Sequence, residues 1–148
     1  VETEHIDELA HTMCKEDAAE CWAAGHRKPY EALARSVKLS PGSLTGLADG
    51  QVGCIFGIGA TSILTGVGSP WLLGSPIVQY HAKVFLRANK VWLADEQLRW
   101  DKLINFVDIR HRRAVRWLGW LGFTLFDPAP YGPDSMMFHK FVWERDNV

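Results

Sequence analysis

The chain has 148 residues, 47% hydrophobic and 22% charged, which is enough for one packed domain and too apolar for a disordered chain. Sixteen Lys and Arg against seventeen Asp and Glu leave a net charge of -1 with six His neutral, which argues against a protein that coats nucleic acid through bulk charge. Three Cys, an odd count, argue against a secreted disulfide framework and for a reducing, cytoplasmic setting; Val1 to Glu8 carry no apolar run, so no signal peptide is expected there.

The first forty residues read as helices. Ile6, Leu9 and Met13 sit at helical spacing over His5 to Met13. Lys15 to Ala24 is Ala-rich and opens with Glu16 and Asp17, which suit a helix N-terminus, and Gly25 can stop it. Pro29 opens a third helix with Ala32, Leu33 and Val37 on its apolar face, and Ser40-Pro41-Gly42-Ser43 breaks it. Strands follow. Asp49-Gly50 is a hairpin turn between Leu44–Ala48 and Gln51–Ile58. Thr61 to Ser69 reads as loop, and Trp71 to Leu73 as a third short strand. A long helix is predicted from Ile77 to about Leu98, with Ile77, His81, Val84, Phe85, Ala88, Val91 and Trp92 inward. Lys102 to Asp108 is a strand, and Arg110 to Leu121 a basic helix with Ala114, Trp117, Leu118 and Leu121 inward. Phe123 to Phe126 is a strand, Asp127 to Ser135 a long turn, and Met136 to Trp143 the last strand.

From Gly50 to Ala82 no Asp, Glu, Lys or Arg occurs. Seven Gly and two Pro interrupt that stretch, so buried strands are expected there and not a membrane span. The helix and strand order implies a mixed α+β fold of a single domain, 1–148. Parallel or mixed pairing is expected in the middle of its sheet and antiparallel pairing at both ends.

That order, with Leu103–Asp108 followed by the run Ala114-Val115-Arg116-Trp117-Leu118-Gly119-Trp120-Leu121-Gly122-Phe123, resembles the GNAT (Gcn5-related N-acetyltransferase) superfamily. There a helix ends in an aliphatic-Gly-Phe motif before the closing strands. The resemblance covers nearly the whole chain, the family's usual first strand excepted. The chain is most similar to a divergent branch found in tailed bacteriophages, which includes internal virion proteins of short-tailed coliphages. The Arg-aromatic-Leu tract before the closing Gly is shared with that branch.

The resemblance implies acetyl-CoA as cosubstrate and an amine as acceptor, in a mostly antiparallel sheet whose one parallel strand pair marks the cofactor cleft. The family's phosphate signature, [RQ]-x-x-G-x-[GA], is reduced here to Leu73-Gly74-Ser75-Pro76-Ile77, and Pro76 lacks an N–H. Leu72, Leu73, Gly74, Ser75, Ile77, His111 and Arg113 are the implied cofactor-binding residues, with His111 where the family has an Asn. Leu118 stands where the family has its proton-donating Tyr. For a base, Glu16, Glu20, Asp49 and His81 are open; for an acid, Tyr131 and Tyr80. Glu20, His81 and Tyr131 are taken as the catalytic candidates. The weak signature and Leu118 favour a rival role, a GNAT-fold virion or host-contact component without catalysis. The acceptor is a small molecule or a protein, a phage or host protein partner is admitted, and so is a homodimer.

Three further groups stand out. His11, Cys14, Cys21 and His26 have the ligand types of zinc but no recognised spacing, and no metal is expected. Arg110, His111, Arg112, Arg113 and Arg116 form the densest basic cluster, readable as a CoA phosphate contact, a contact to nucleic acid or to a phage or host partner, or a solvated face. Of the seven Trp, Trp117 and Trp120 lie three apart on one helix, so one is expected to face outward.

Overall fold

A computed structural model describes residues 1–62 and 64–146. Three helices open the chain: α1 (Thr3–Thr12), α2 (Lys15–Gly25) and α3 (Pro29–Leu39). Pro29 begins α3 because its missing N–H is one the first turn leaves unpaired anyway. Gly25 remains helical, and the left-handed turn that ends α2 falls on His26 (φ 54°). The strained residue is held by its ring, which stacks on Trp22 at 4.6 Å and bonds Asp134 Oδ2 at 2.8 Å.

The strands are β1 (Leu44–Ala48), β2 (Gln51–Ser62), β3 (Val67–Gly74), β4 (Lys102–Asp108), β5 (Thr124–Leu125), β6 (Ala129–Tyr131) and β7 (Met136–Glu144). Asp49 and Gly50 both take positive φ, as a tight two-residue hairpin needs. The stretch Thr61–Ser69, expected as loop, instead carries the end of β2 and the start of β3, paired from Cys54–Gly74 out to Ser62–Val67. Glycines lower strand propensity, but Gly68 lies against Ile58 and Trp100 with no room for a Cβ, and Gly66 takes φ 66° in the turn. The turn Asp127–Ser135 likewise contains β6, where Pro130 is tolerated because β6 pairs only with β7.

The predicted long helix is two helices, α4 (Ile77–Tyr80) and α5 (Ala82–Glu96), broken at His81. The expected face is split: Phe85 and Trp92 hold their inward places, while His81, Val84, Ala88 and Val91 are exposed. Val84 and Val91 are 69% and 74% exposed, while Phe85, Trp92 and Leu93 turn inward. Phe85 selects this rotation: it lies on bare backbone, where a Cβ at Gly46 or Gly53 would come within 2.8 or 2.6 Å of its ring. The basic helix, α6 (Arg112–Trp120), is capped by His111 and followed by Gly122 at φ 100°. Trp120 is half exposed, with Lys90 Nζ 4.1 Å from its ring centre.

The sheet runs β1-β2-β3-β4-β7-β5, with β6 also on β7, and every pairing but β3–β4 is antiparallel. One face packs Ile55 and Leu73 against Leu9 and Leu33 of α1 and α3; the other packs Ile58, Leu103 and Val107 against Leu93 of α5 and Ala114 and Leu118 of α6. No described helix is long and apolar enough to cross a membrane, and the described residues of Gly50–Ala82 lie in β2, β3, α4, the first residue of α5 and their connections.

The β6–β7 turn is docked onto the end of α2 by Gly132 (φ 81°), where a Cβ would collide with the Ala23 carbonyl. That obstacle is backbone, so it cannot swing aside. Gly132→Ala is expected to lower the unfolding free energy by about 2–4 kcal/mol, from left-handed strain plus overpacking. Urea unfolding would show this as a lower midpoint at unchanged m-value; a loss below 1 kcal/mol would mean that the turn does not dock on α2.

Candidate functional site

β3 and β4 pair only at Val67–Lys102 and Gly68–Leu103. Beyond that point they diverge. Side chains bridge the first part of the gap: Ser69 Oγ donates to the Ile104 carbonyl at 2.8 Å, and Asn105 Nδ2 donates to the Pro70 carbonyl at 2.9 Å. From Trp71 to Leu73, the edge of β3 that faces β4 has no strand partner among the described residues. A cleft of about 320 Å³ opens there and reaches both faces of the sheet. Glu20, Arg27 and Arg35 line it on the α2–α3 side; Asn89, Trp92, Arg113 and Leu118 line it on the α5–α6 side.

Its polar centre is built around Asp17, on an inward stripe that runs from Cys14, the N-cap of α2, through Asp17 to Cys21. Asp17 is 5% exposed. Its Oδ2 accepts from the Gly74 N–H at 2.8 Å, and its Oδ1 lies 2.6 Å from His111 Nε2. The Gly74 carbonyl in turn accepts from the Cys14 N–H at 2.9 Å. The end of β3, the start of α2 and the cap of α6 are thereby tied to one carboxylate. The His111 Nδ1 accepts from the Ala114 N–H at 3.4 Å, which leaves the ring proton on Nε2, pointing at Asp17. Burial pulls the His111 pKa down, but the hydrogen bond and charge of Asp17, with Glu20 and Glu16 adding, carry it above the ordinary histidine value.

Glu20 lies one turn further along α2, half buried. It accepts from the Asp108 N–H at 2.7 Å. Burial, then the charges of Asp17 and Asp108, push its pKa from 4.5 to about 7, against the pull of that hydrogen bond and of His111. Asp108 is turned away onto Arg110 at 2.6 Å; burial works against its ionisation, but the Arg110 guanidinium prevails and holds its pKa below the usual value. The three Cys are poor nucleophiles, since burial first and then nearby carboxylates push Cys14 and Cys21 up to about 12 and burial does the same to Cys54.

Of the expected cofactor residues, Leu72, Leu73, Gly74, Ser75, His111 and Arg113 line the cleft, and Ile77 does not. The loop's donors are already engaged. The Gly74 N–H is on Asp17, the Ser75 N–H on the Gly53 carbonyl, and the Ile77 N–H on Ser75 Oγ. Of the catalytic candidates, Glu20 lines the cleft. Tyr131 lies on β6 with its ring stacked 4.1 Å from that of Phe106, a cleft residue. His81 lines a separate hollow with Leu44, Val84 and Phe85. Leu118 packs against the core and also borders the cleft. In the basic cluster Arg110 is paired with Asp108, Arg113 faces the cleft, and Arg112 and Arg116 are exposed.

The four residues with zinc-ligand chemistry are not brought together: His11 bonds the Asp7 carbonyl and His26 bonds Asp134. Cys14 instead meets Asp17 and His111, with ligand atoms within 4.8 Å of one another. A metal on His111 Nε2 would need the ring proton on Nδ1, which faces the Ala114 N–H, so this trio is arranged as a hydrogen-bonded group. Asp17 itself was legible only as a helix-start acid. The signal for more was its place between two Cys on an otherwise apolar stripe.

No protein-family model and no curated protein matches the chain. Solved structures do. Ard1 from Thermoplasma volcanium gives a TM-score of 0.71 over 99% of this chain and 95% of its own, at 10% identity. yncA from Salmonella typhimurium, solved with its cofactor acetyl-CoA, gives 0.70 over 100% and 92%, at 16% identity. Spermidine N-acetyltransferase from Vibrio cholerae, in complex with CoA and spermine, gives 0.66 over 97% and 92%, at 10% identity. At these identities the likeness is one of fold, and the chain has the GNAT fold.

Proposed function

We infer that this chain is an acyl-CoA-dependent N-acyltransferase, working as a single domain, that passes an acetyl group from acetyl-CoA to an amine. The observation that carries this reading is the cleft: two diverging strands leave an unpaired backbone edge at Trp71–Leu73, with the Glu20 carboxyl beside it at a pKa of about 7. An edge of that kind can polarise a thioester carbonyl, and a carboxylate near neutrality can relieve an ammonium of its proton. Two neighbours in fold, solved with acetyl-CoA and with CoA, lend support.

In this reading the thioester arm lies along Leu72 and Leu73 on the α5–α6 side. Glu20 takes a proton from the acceptor ammonium, directly or through water. The freed nitrogen pair attacks the carbonyl carbon; the C–N bond forms, the C–S bond breaks, the sulfur takes a proton from a donor and leaves as CoA thiol, and the nitrogen gives its surplus proton back to that donor. Leu118 cannot supply that proton, and Tyr131, which does not itself line the cleft but stacks on the cleft residue Phe106, is the proposed donor. The pyrophosphate cannot rest on the Gly74 N–H while Asp17 holds it, so Arg113 is the proposed phosphate contact.

That same occupied N–H favours one second reading, a phage virion or host-contact component that keeps the fold without the chemistry, in the virion or the host cytoplasm. Calorimetry with acetyl-CoA separates the two. Micromolar binding is expected, with a thermal shift equivalent to about 2.7 kcal/mol at a hundredfold excess over Kd. No binding at millimolar ligand would overturn the enzyme reading.

A further inference from the structure

The cleft's α2–α3 wall carries two arginines that the chemistry above does not use. Arg27 lies just beyond α2, half buried, and Arg35 lies on α3 beside Ser36. Among the described residues neither has a carboxylate within ion-pair distance. The cleft's two carboxylates, Asp17 and Glu20, make no ion pair with them: Asp17 is held by Gly74 and His111. Nearby, Asp108 is held by Arg110, and Glu20 is bonded to the Asp108 N–H. Arg27 also has space made for it. A Cβ at Gly25 would collide with its guanidinium, so the missing side chain is what lets that group fold back along the end of α2. Two guanidiniums without an ion pair, on the cleft wall that also carries Glu20, repel a polycation and attract an anion.

We propose that the acceptor is a primary amine bearing a carboxylate or phosphate, with Arg27 and Arg35 holding the anionic group while Glu20 meets the nitrogen. This rests on the acyltransferase reading and deepens it. Gly25, where the Arg27 guanidinium lies, is five positions beyond Glu20, a rise of about 7.5 Å along α2 and about 140° around it. Amine and anion are therefore a short linker apart, as in an ω-amino acid or an aminoalkyl phosphate.

The test uses acceptors matched in length: 4-aminobutyrate, its amide and putrescine, with O-phosphoethanolamine as the phosphate arm. The carboxylate or phosphate compound is expected to exceed amide and putrescine in kcat/KM by at least tenfold, and whichever leads identifies the anion. Arg27→Gln and Arg35→Gln should each raise its KM about tenfold, with kcat within threefold and the amide's KM unchanged. Gly25→Ala should displace the Arg27 guanidinium and raise the same KM several-fold without lowering the melting temperature. A merely structural role would move the melting temperature and leave the anion-to-amide ratio alone.

Preference for putrescine or the amide overturns this proposal while leaving the acyltransferase reading intact. So does a loss of acetyl-CoA affinity in the arginine variants with acceptor KM unchanged, which would assign both groups to CoA. If acetyl-CoA does not bind at all, or no acceptor is turned over, direct titration with O-phosphoethanolamine and 4-aminobutyrate still decides. Binding that both Gln variants abolish supports the anion site, and no binding to the unaltered chain rejects it.

Discussion

Asp17→Ala is expected to lower the unfolding free energy by about 3–5 kcal/mol, the range for removing one partner of a buried pair. The carboxylate satisfies two buried donors from distant parts of the chain, the Gly74 N–H and His111 Nε2. Alanine leaves both without their protein partner. Asp17→Asn should cost less, but not nothing. Asn has one acceptor oxygen where two donors converge, so its NH2 must face one of them. Denaturant unfolding of both variants and of Asp17→Ala/His111→Ala measures this. In the double variant one of the two orphaned donors is gone, so its loss should fall short of the sum of the single losses. Full additivity, or a loss in Asp17→Ala below 1 kcal/mol, would mean that the carboxylate does not tie α2 to β3 and α6.

Why Asp17 escaped a reading of the sequence is a matter of distance along the chain. Its partners lie 57 and 94 residues away, and nothing local separates a buried carboxylate from an ordinary helix-start acid. Where local chemistry decides, the sequence was legible. Pro29 starts α3, Asp49-Gly50 makes the hairpin, and Lys102–Asp108 is β4 to the residue. Where a contact between faces decides, it was not. α5 has two apolar rows, and the choice between them is made by Phe85 finding the bare backbone of Gly46 and Gly53. The same limit explains the candidate base. Spacing left Glu16, Glu20, Asp49 and His81 equivalent; folding puts His81 at a separate hollow and Glu20 in the cleft. The engaged loop at Gly74–Ser75 was half visible, because Pro76 announced a missing donor but not that a carboxylate had taken another.

Glu20→Gln is expected to lower kcat for acetyl transfer by about 10²–10³-fold, with acetyl-CoA affinity within twofold. Gln keeps an oxygen that can accept from the Asp108 N–H, so the local fold survives while the proton acceptor is lost. The unaltered chain's rate should climb as pH rises through about 7, where the carboxylate forms, and that limb should vanish in the variant. Stability gives an independent readout of the same group. A folded-state pKa of about 7 against an ordinary 4.5 means that the folded chain binds more protons between those values. The stability tied to Glu20 is therefore complete below about 4.5 and is lost as pH rises through about 7. After discounting for the solvent that reaches the cleft, the loss is on the order of 2 kcal/mol. His111, its pKa also raised, adds a loss of the same sign at pH above the ordinary histidine value. Urea unfolding at pH 5 and pH 8 should thus show the chain weaker at pH 8, and Glu20→Gln should shrink that difference without abolishing it, leaving the His111 part. A variant that loses activity but keeps both the rising limb and the full pH dependence of stability would remove Glu20 as the base, and the proton acceptor would have to be sought elsewhere around the cleft.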